Sequence, residues 1–329
     1  MTILLFLRLA YLGAASLILF VVAIPPLRIH FLAYGARTHP APGDKSSQRT
    51  VEKTGLLNLF LERLAALTVP HAWFASFYAV SVVSSLFWAS QILTHGPLFR
   101  MVAAVAATPD NAEATMTIPQ ITVTWLFLLA QATRRLYESL VLTPPSHARM
   151  WIGHWVIGVL FYIGTSVAVW IEGIPAIQGH TFHPSDLSLL APTPCTFFAT
   201  ILFLLASGVQ HDSHAYLASL RRKTLTSPPK RGGDGKSGGG DGMHYKLPTH
   251  PAFTSLIAPH YTAECLIYLS LAIVAAPPGG HGFNGTLACV LVFVAVNLGV
   301  TAAGTKRWYE DVFGEEAVRG RWRLIPFVF

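Results

Sequence analysis

Seven apolar runs, each near the length of a bilayer-spanning helix, alternate with polar stretches along this chain. They cover 3–26, 72–93, 117–142, 150–171, 194–210, 255–276 and 285–304. A helix that crosses the hydrocarbon core needs roughly 20 mostly apolar residues. In lipid it must also satisfy its own backbone polar groups, which an α-helix does. The pattern predicts an all-α integral membrane protein, a seven-transmembrane-helix bundle forming a single membrane domain over 1–329. The third and fifth runs are the weakest, because polar residues interrupt their ends. The first is too long and too uniformly apolar for a cleaved leader.

Composition agrees. Apolar residues make up 52% of the chain and charged residues only 12%, with a mean hydropathy of +0.48. Soluble domains carry about 25% charged residues. The net charge of +7 therefore reports topology and implies no nucleic-acid partner. Basic residues crowd alternate loops: Arg28 to Arg63 after the first run, Arg149 after the third, Arg221 to Lys246 after the fifth, and Lys306 to Arg323 in the tail 305–329. Of the opposite loops, the first holds only Arg100, and 172–193 and 277–284 hold neither Lys nor Arg. That asymmetry predicts a lumenal or outside N-terminus and a cytosolic C-terminal tail.

Three motifs carry little. The glycine-rich insert 227–242 spells G-x-G-x-x-G at Gly233, Gly235 and Gly238, but no apolar strand precedes it, so it reads as a flexible cytosolic linker. The sequon at Asn284-Gly285-Thr286 sits too close to the membrane to be used. The cysteines Cys195, Cys265 and Cys289 lie in or beside apolar runs without metal spacing, and read as packing.

The informative positions are polar residues inside apolar runs. An ionisable residue at membrane depth is expensive and faces a bundle interior. His260 and Glu264 stand at i and i+4 within the sixth run, on one helix face. Arg134-Arg135-Leu136-Tyr137-Glu138 ends the third run, where Arg134 and Glu138 are spaced to pair with each other. Gln210-His211-Asp212-Ser213-His214 leads into Arg221-Arg222-Lys223. Its H-x-x-H suggests a metal only weakly, because no third ligand accompanies it. Lys246 and Lys306-Arg307-Trp308-Tyr309 complete a face rich in Arg, Lys, His and Tyr. Such a face suits a ligand bearing several phosphates, because guanidinium forks match phosphate oxygens.

These residues, in this order, resemble the steroid 5-alpha-reductase family, within it the polyprenol (polyprenal) reductase branch. The signs are Val69-Pro70-His71-Ala72-Trp73-Phe74 with Phe77-Tyr78, then Arg134 to Glu138, then His211, Ser213, His214, Leu217, Leu220 and Arg221. Pro259-His260-Tyr261 with Glu264, Arg307-Trp308-Tyr309 with Phe313, and a final Leu-Ile-Pro-Phe-Val-Phe follow. The resemblance covers about Val69 to Phe329. It implies a seven-helix bundle in the endoplasmic reticulum membrane that holds NADPH in its cytosolic half, with a long-chain isoprenoid and membrane lipid as its partners. It places cofactor contacts on Arg135, Ser213, His214, Arg221, Lys246, His260, Glu264, Tyr309 and Arg321. The activity it implies is reduction of the α-isoprene double bond of polyprenal, on the route to the dolichol used in protein N-glycosylation. The steroid branch grips its ketone with a glutamate and a tyrosine; Phe77 and Ala132 stand at the matching positions here. A 3-oxo-steroid and an isoprenylcysteine-type methylation remain the alternatives.

Hydride addition needs an electron-poor carbon, which an α,β-unsaturated aldehyde has and an allylic alcohol lacks. The enolate that develops needs a donor at its oxygen. His260 and Tyr137 are the candidate catalytic residues, with Tyr309 third, and no metal is expected.

Overall fold

The computed structural model describes residues 2–32, 56–106, 115–144, 148–187, 192–226, 246–280 and 282–329. The insert 227–242 and the basic residues Arg37, Lys45, Arg49 and Lys53 lie outside them.

The chain is built from helices: α1 (Ile3–Ala23), α2 (Pro25–Leu32), α3 (Leu56–Ala66), α4 (Ala75–Leu93), α5 (Pro97–Ala106), α6 (Ile118–Tyr137), α7 (Ile152–Ala168), α8 (Ile174–Gln178), α9 (Pro194–Thr226), α10 (Pro251–Ser255), α11 (Pro259–Val274) and α12 (Gly285–Phe313). Among the described residues the sheet is one short antiparallel pair, β1 (Thr68–Pro70) with β2 (Arg149–Trp151), in the register Thr68↔Trp151. It ties the entrance of α4 to that of α7.

Each expected apolar run holds a helix, yet the count of seven spans is not reproduced by length and apolarity. Among the described residues, five helical stretches are long and apolar enough to cross a membrane: Ile3–Ala23, His71–Leu93, Ile152–Gln178, Pro194–Arg222 and Gly285–Phe313. The fifth run, read as weak, is among them. The two that fall short are α6 and α11. Helix α6 carries Gln120, Thr122, Thr124, Gln131, Arg134 and Arg135, and α11 has only 16 residues. Both bring polar side chains into the bundle. That is how polar groups at membrane depth are accommodated, facing protein rather than lipid.

Helix ends follow local chemistry. Thr117 caps α6 in a reciprocal box with Gln120, and Pro119 fills the first turn, where a missing N–H is harmless. Asn284 caps α12 by accepting from the Leu287 N–H at 2.9 Å. Asn284 is fully buried. The sixth run is broken: α10 stops at Ser255 and α11 starts at Pro259, because the residues before a proline resist the helical region. The exposed backbone pairs with the tail instead. Ile257 N donates to Trp322 O, and Trp322 N donates to Ser255 O, each at 2.8 Å. Helix α9 runs on to Thr226, so Gln210, Ser213, His214 and Arg221 share one helix. Helix α12 likewise continues into the expected tail and carries Tyr309; it ends at Gly314, whose φ of 89° suits glycine.

Helix α9 packs on α11, α1 and α11 on α12, and α4 on α6 and α7. Gly158 lets α7 close on α4, since a Cβ there would meet the Phe77 ring at 2.7 Å. The end of the bundle at the start of α12 is held by charge. Arg8 of α1 donates to Glu172 at 2.8 Å and to Thr286 Oγ1 at 3.2 Å. Glu172 also accepts from the Thr286 N–H at 2.7 Å and its hydroxyl at 2.6 Å. A carboxylate is favourable there, at the positive end of the α12 dipole.

Candidate active site

The opposite end of the bundle holds two carboxylates on different helices, joined by one polar network. The first is Glu138, in the single π-helical turn Glu138–Leu142 that follows α6. It is 2% exposed and carries four partners. Arg134 and Arg135 donate to its two oxygens. His211 and His214 each place Nδ1 at 2.8 Å from it. The H-x-x-H spacing thus presents two imidazoles, one turn apart on α9, to a carboxylate. A π-turn re-aims the chain by one extra residue, and such turns concentrate at functional sites.

The second carboxylate is Glu264 on α11. Gln131 of α6 donates to its Oε2 at 3.2 Å, and Gln210 of α9 donates to the same oxygen. The amides connect onward: Gln131 Nε2 donates to Gln210 Oε1 at 2.9 Å, and Arg134 donates to both amide oxygens. Glu138 and Glu264 are therefore linked through Arg134, Gln131 and Gln210, and three helices are locked in register. Glu264 Oε1 takes no hydrogen bond among the described residues, so this carboxylate keeps an open acceptor.

Other groups lack partners too. Arg135 Nε, Ser213 Oγ and His260 Nδ1 are buried and have no hydrogen-bond partner among the described residues. Folded proteins pair nearly all buried polar groups, so an exception calls for an explanation. The three lie on α6, α9 and α11, and the His260 and His214 rings are 5.3 Å apart. Unfilled donors and acceptors on three facing helices fit a polar ligand held between them. A cavity of about 360 Å³ adjoins, lined by His71, Phe74, Arg135, Glu138, His214 and Arg221 among others.

The expected site residues divide into groups. Arg135, Ser213, His214, His260 and Glu264 meet in or beside the network, and Arg221 lines the cavity. Tyr309 and Arg321 belong to a neighbouring cluster around the segment that leads into α10. Tyr309 packs with Leu247 and Tyr261 against Ile257, Ala258 and Val318. Arg321 donates to Pro248 O at 3.2 Å, and Lys306 donates to Arg321 O at 2.9 Å. Tyr261, whose ring centroid lies 4.2 Å from that of His260, joins the two groups. Lys246 is exposed at the start of that segment. Tyr137 is not brought in. It is 54% exposed, because two residues beyond Arg135 lies roughly 200° round an α-helix. Gln131 and Tyr78 are members that sequence reading missed, and Gln210 was marked as polar without its bridging role. Gln131 reads as a polar residue of a weak apolar run, and only the packing of α6, α9 and α11 shows that it and Gln210 bridge. The Phe77-Tyr78 pair was visible as a motif without a role.

The places matching the steroid-gripping residues are apolar. Phe77 is buried against Phe74 and Tyr162, and Ala132 is buried on α6.

Comparison with known proteins supports the motif reading. Residues 238–329 match the family model described as 3-oxo-5-alpha-steroid 4-dehydrogenase. The chain is 26% identical to the polyprenal reductase of Saccharomyces cerevisiae over 319 residues, covering 97% of this chain and 92% of that protein. It is 26% identical to the polyprenal reductase of Caenorhabditis elegans over 272 residues, with 80% of each chain covered. It is 23% identical to that of Mesocricetus auratus over 282 residues, again covering 80% of each. The resemblance to the steroid 5-alpha-reductase family, in its polyprenal reductase branch, is therefore borne out over nearly the whole chain.

Proposed function

We infer that this chain is a membrane-embedded NADPH-dependent reductase that saturates the α-isoprene double bond of polyprenal. The observation that carries this is the joined pair of carboxylates with its unfilled donors and acceptors, in a chain that resembles polyprenal reductases along almost its full length. In this reading Glu264 and His260 hold the nicotinamide end of the cofactor through the open Oε1 and Nδ1. Arg135, Ser213 and His214 line its path, and Arg221, Lys246, Tyr309 and Arg321 take the phosphate-bearing part. When bound, NADPH supplies a hydride. The protein's task is to fix the cofactor, exclude water and manage the proton. Arginines suit the phosphates by their fork geometry. The apolar outer faces of the helices suit the isoprenoid tail, which is taken from the bilayer. With Phe77 and Ala132 at the steroid-gripping places, the ketone of a 3-oxo-steroid finds no polar grip there. Of the two candidate catalytic side chains, His260 sits at the network, whereas the exposure of Tyr137 argues against a part in the reaction. The positive-inside pattern supports a lumenal N-terminus and cytosolic C-terminus in the endoplasmic reticulum membrane.

A substrate panel tests this reading. Membranes carrying the chain, supplied with NADPH, should consume polyprenal and yield the α-saturated aldehyde. They should turn over polyprenol and a 3-oxo-Δ4-steroid at least tenfold more slowly. Faster reduction of the steroid than of polyprenal would replace the substrate. Cofactor binding with no turnover of any of the three would contradict the activity.

A further inference from the structure

We propose that Tyr78 is the proton donor to the substrate carbonyl oxygen, and that Arg135 activates it. The proposal rests on the reductase reading above. Tyr78 lies on the inner face of α4 and is buried. Arg135 Nη2 donates to its hydroxyl oxygen at 2.8 Å, and the guanidinium carbon lies 4.8 Å from the centre of its ring. An oxygen that accepts from a guanidinium keeps its own proton for another acceptor. The same cation stabilises the phenolate left behind when that proton departs. Among the other described tyrosines, Tyr11 bonds Thr165, Tyr162 packs edge-on against Tyr78 itself with ring centroids 5.4 Å apart, Tyr309 packs in the outer cluster, Tyr137 faces outward, and the Tyr268 hydroxyl has no hydrogen-bond partner among the described residues.

The location is also right. Phe74, one turn before Tyr78, and Arg135 both line the cavity, and the Phe74 and Tyr78 rings are 5.6 Å apart. Below Tyr78 on the same α4 face come Ser81 and Ser85, at i+3 and i+7. Both are fully buried, and their hydroxyls lack hydrogen-bond partners among the described residues. A polar track thus continues inward from Tyr78, alongside the face of α6 that carries Arg135. Arg135 itself bridges the two halves of the site: it donates to Glu138 on one side and to Tyr78 on the other.

The step balances as follows. NADPH, held by Glu264 and His260 in the reading above, would supply the hydride for the β carbon and be left oxidised. The C=C electron pair shifts toward the carbonyl, whose oxygen becomes negative. The Tyr78 O–H bond breaks as an O–H bond forms at that oxygen, giving an enol and a phenolate paired with Arg135. The enol then gains a proton from water at the α carbon, leaving hydroxide to the solvent, and returns its O–H proton to the Tyr78 phenolate. The substrate gains one hydride and one proton, and the tyrosine ends unchanged.

The test uses the full-length chain in nanodiscs. Tyr78→Phe removes the proton and keeps the ring. We expect kcat for polyprenal to fall by about 100- to 10,000-fold, the span of general acid catalysis. The KM and the NADPH Kd should stay within threefold. A kcat within threefold of the parent overturns the proposal. So does a loss confined to NADPH binding, which would make Tyr78 an anchor for Arg135. Should Tyr78→Phe fail to fold, 3-fluorotyrosine at position 78 keeps both hydroxyl and shape with a more acidic phenol. The alkaline limb of the kcat profile should then move to lower pH, and an unmoved limb overturns the proposal. An unmodified chain that binds NADPH yet reduces no polyprenal overturns the underlying reading, an outcome distinct from an active Tyr78→Phe variant.

Discussion

Glu138 and Glu264 lie on different elements and share no direct contact, yet Arg134, Gln131 and Gln210 join them in one hydrogen-bonded path. The two carboxylates play different parts. Glu138 is saturated by two arginines and two histidines, whereas Glu264 keeps one oxygen open. The first organises, and the second is left to bind.

Substitution at Glu264 should therefore act on the cofactor. Glu264→Gln keeps the shape but removes the charge and turns one acceptor into a donor facing Gln131 and Gln210. A hydrogen bond to a charged group contributes about 1.5–3 kcal/mol, so NADPH affinity should drop roughly 10- to 100-fold. Titration of the purified variant in nanodiscs reads this directly, and an unchanged Kd would remove Glu264 from the cofactor site.

Glu138 should act on folding. Glu138→Ala leaves Arg134 and Arg135 without their shared counter-ion inside the bundle. Breaking a buried pair by deleting one partner costs about 3–5 kcal/mol. The variant should be recovered poorly and melt well below the parent, while Glu138→Gln, which keeps an acceptor oxygen, should fall between them. Equal thermal stability of the three would show that the network is not structural.

The clasp at the far end gives a contrasting prediction. Arg8→Met removes the Arg8–Glu172 pair, but Glu172 still accepts from Thr286 at the start of α12. We expect a loss of about 1–3 kcal/mol in stability, the usual range for one unmade buried contact to a charged group. Turnover per folded molecule should be unchanged. A kcat lowered more than threefold would tie this end of the bundle to the chemistry.

The carboxy-terminal segment should be indispensable. Trp322 pairs with Ser255 and Ile257, and the Thr262 hydroxyl donates to Leu324 O, so the tail holds the broken start of α11. Ending the chain after Arg321 should abolish NADPH binding while leaving the protein membrane-inserted. Retained binding would show that α11 holds its place unaided.

Much of this could be read in advance. The apolar runs mark the helices because lipid leaves the backbone no alternative, and Pro259 and Thr117 mark where helices begin. His260 and Glu264 stand out because polar residues in an apolar run must face protein. What could not be read is which helices meet. Gln131 is unremarkable, and the bridging role of Gln210 unreadable, until α6 and α9 are packed together. Tyr78 and Tyr137 are the same residue type in similar company, and only helix rotation buries one and exposes the other. The break at Leu256–Ala258 needs a bridge to Trp322, more than 60 residues away, which no local pattern announces. Helix α9 outruns its apolar stretch because the network holds its polar half in place.

The most direct measurement is the fate of the hydride. The chain in nanodiscs would be given polyprenal and NADPH deuterated at the transferable position, and the product analysed by mass spectrometry. The expected result is one deuterium at the β carbon of an α-saturated aldehyde, with the α hydrogen drawn from water. Deuterium at the carbonyl carbon, giving an allylic alcohol with its double bond intact, would contradict the reading of this bundle as a double-bond reductase.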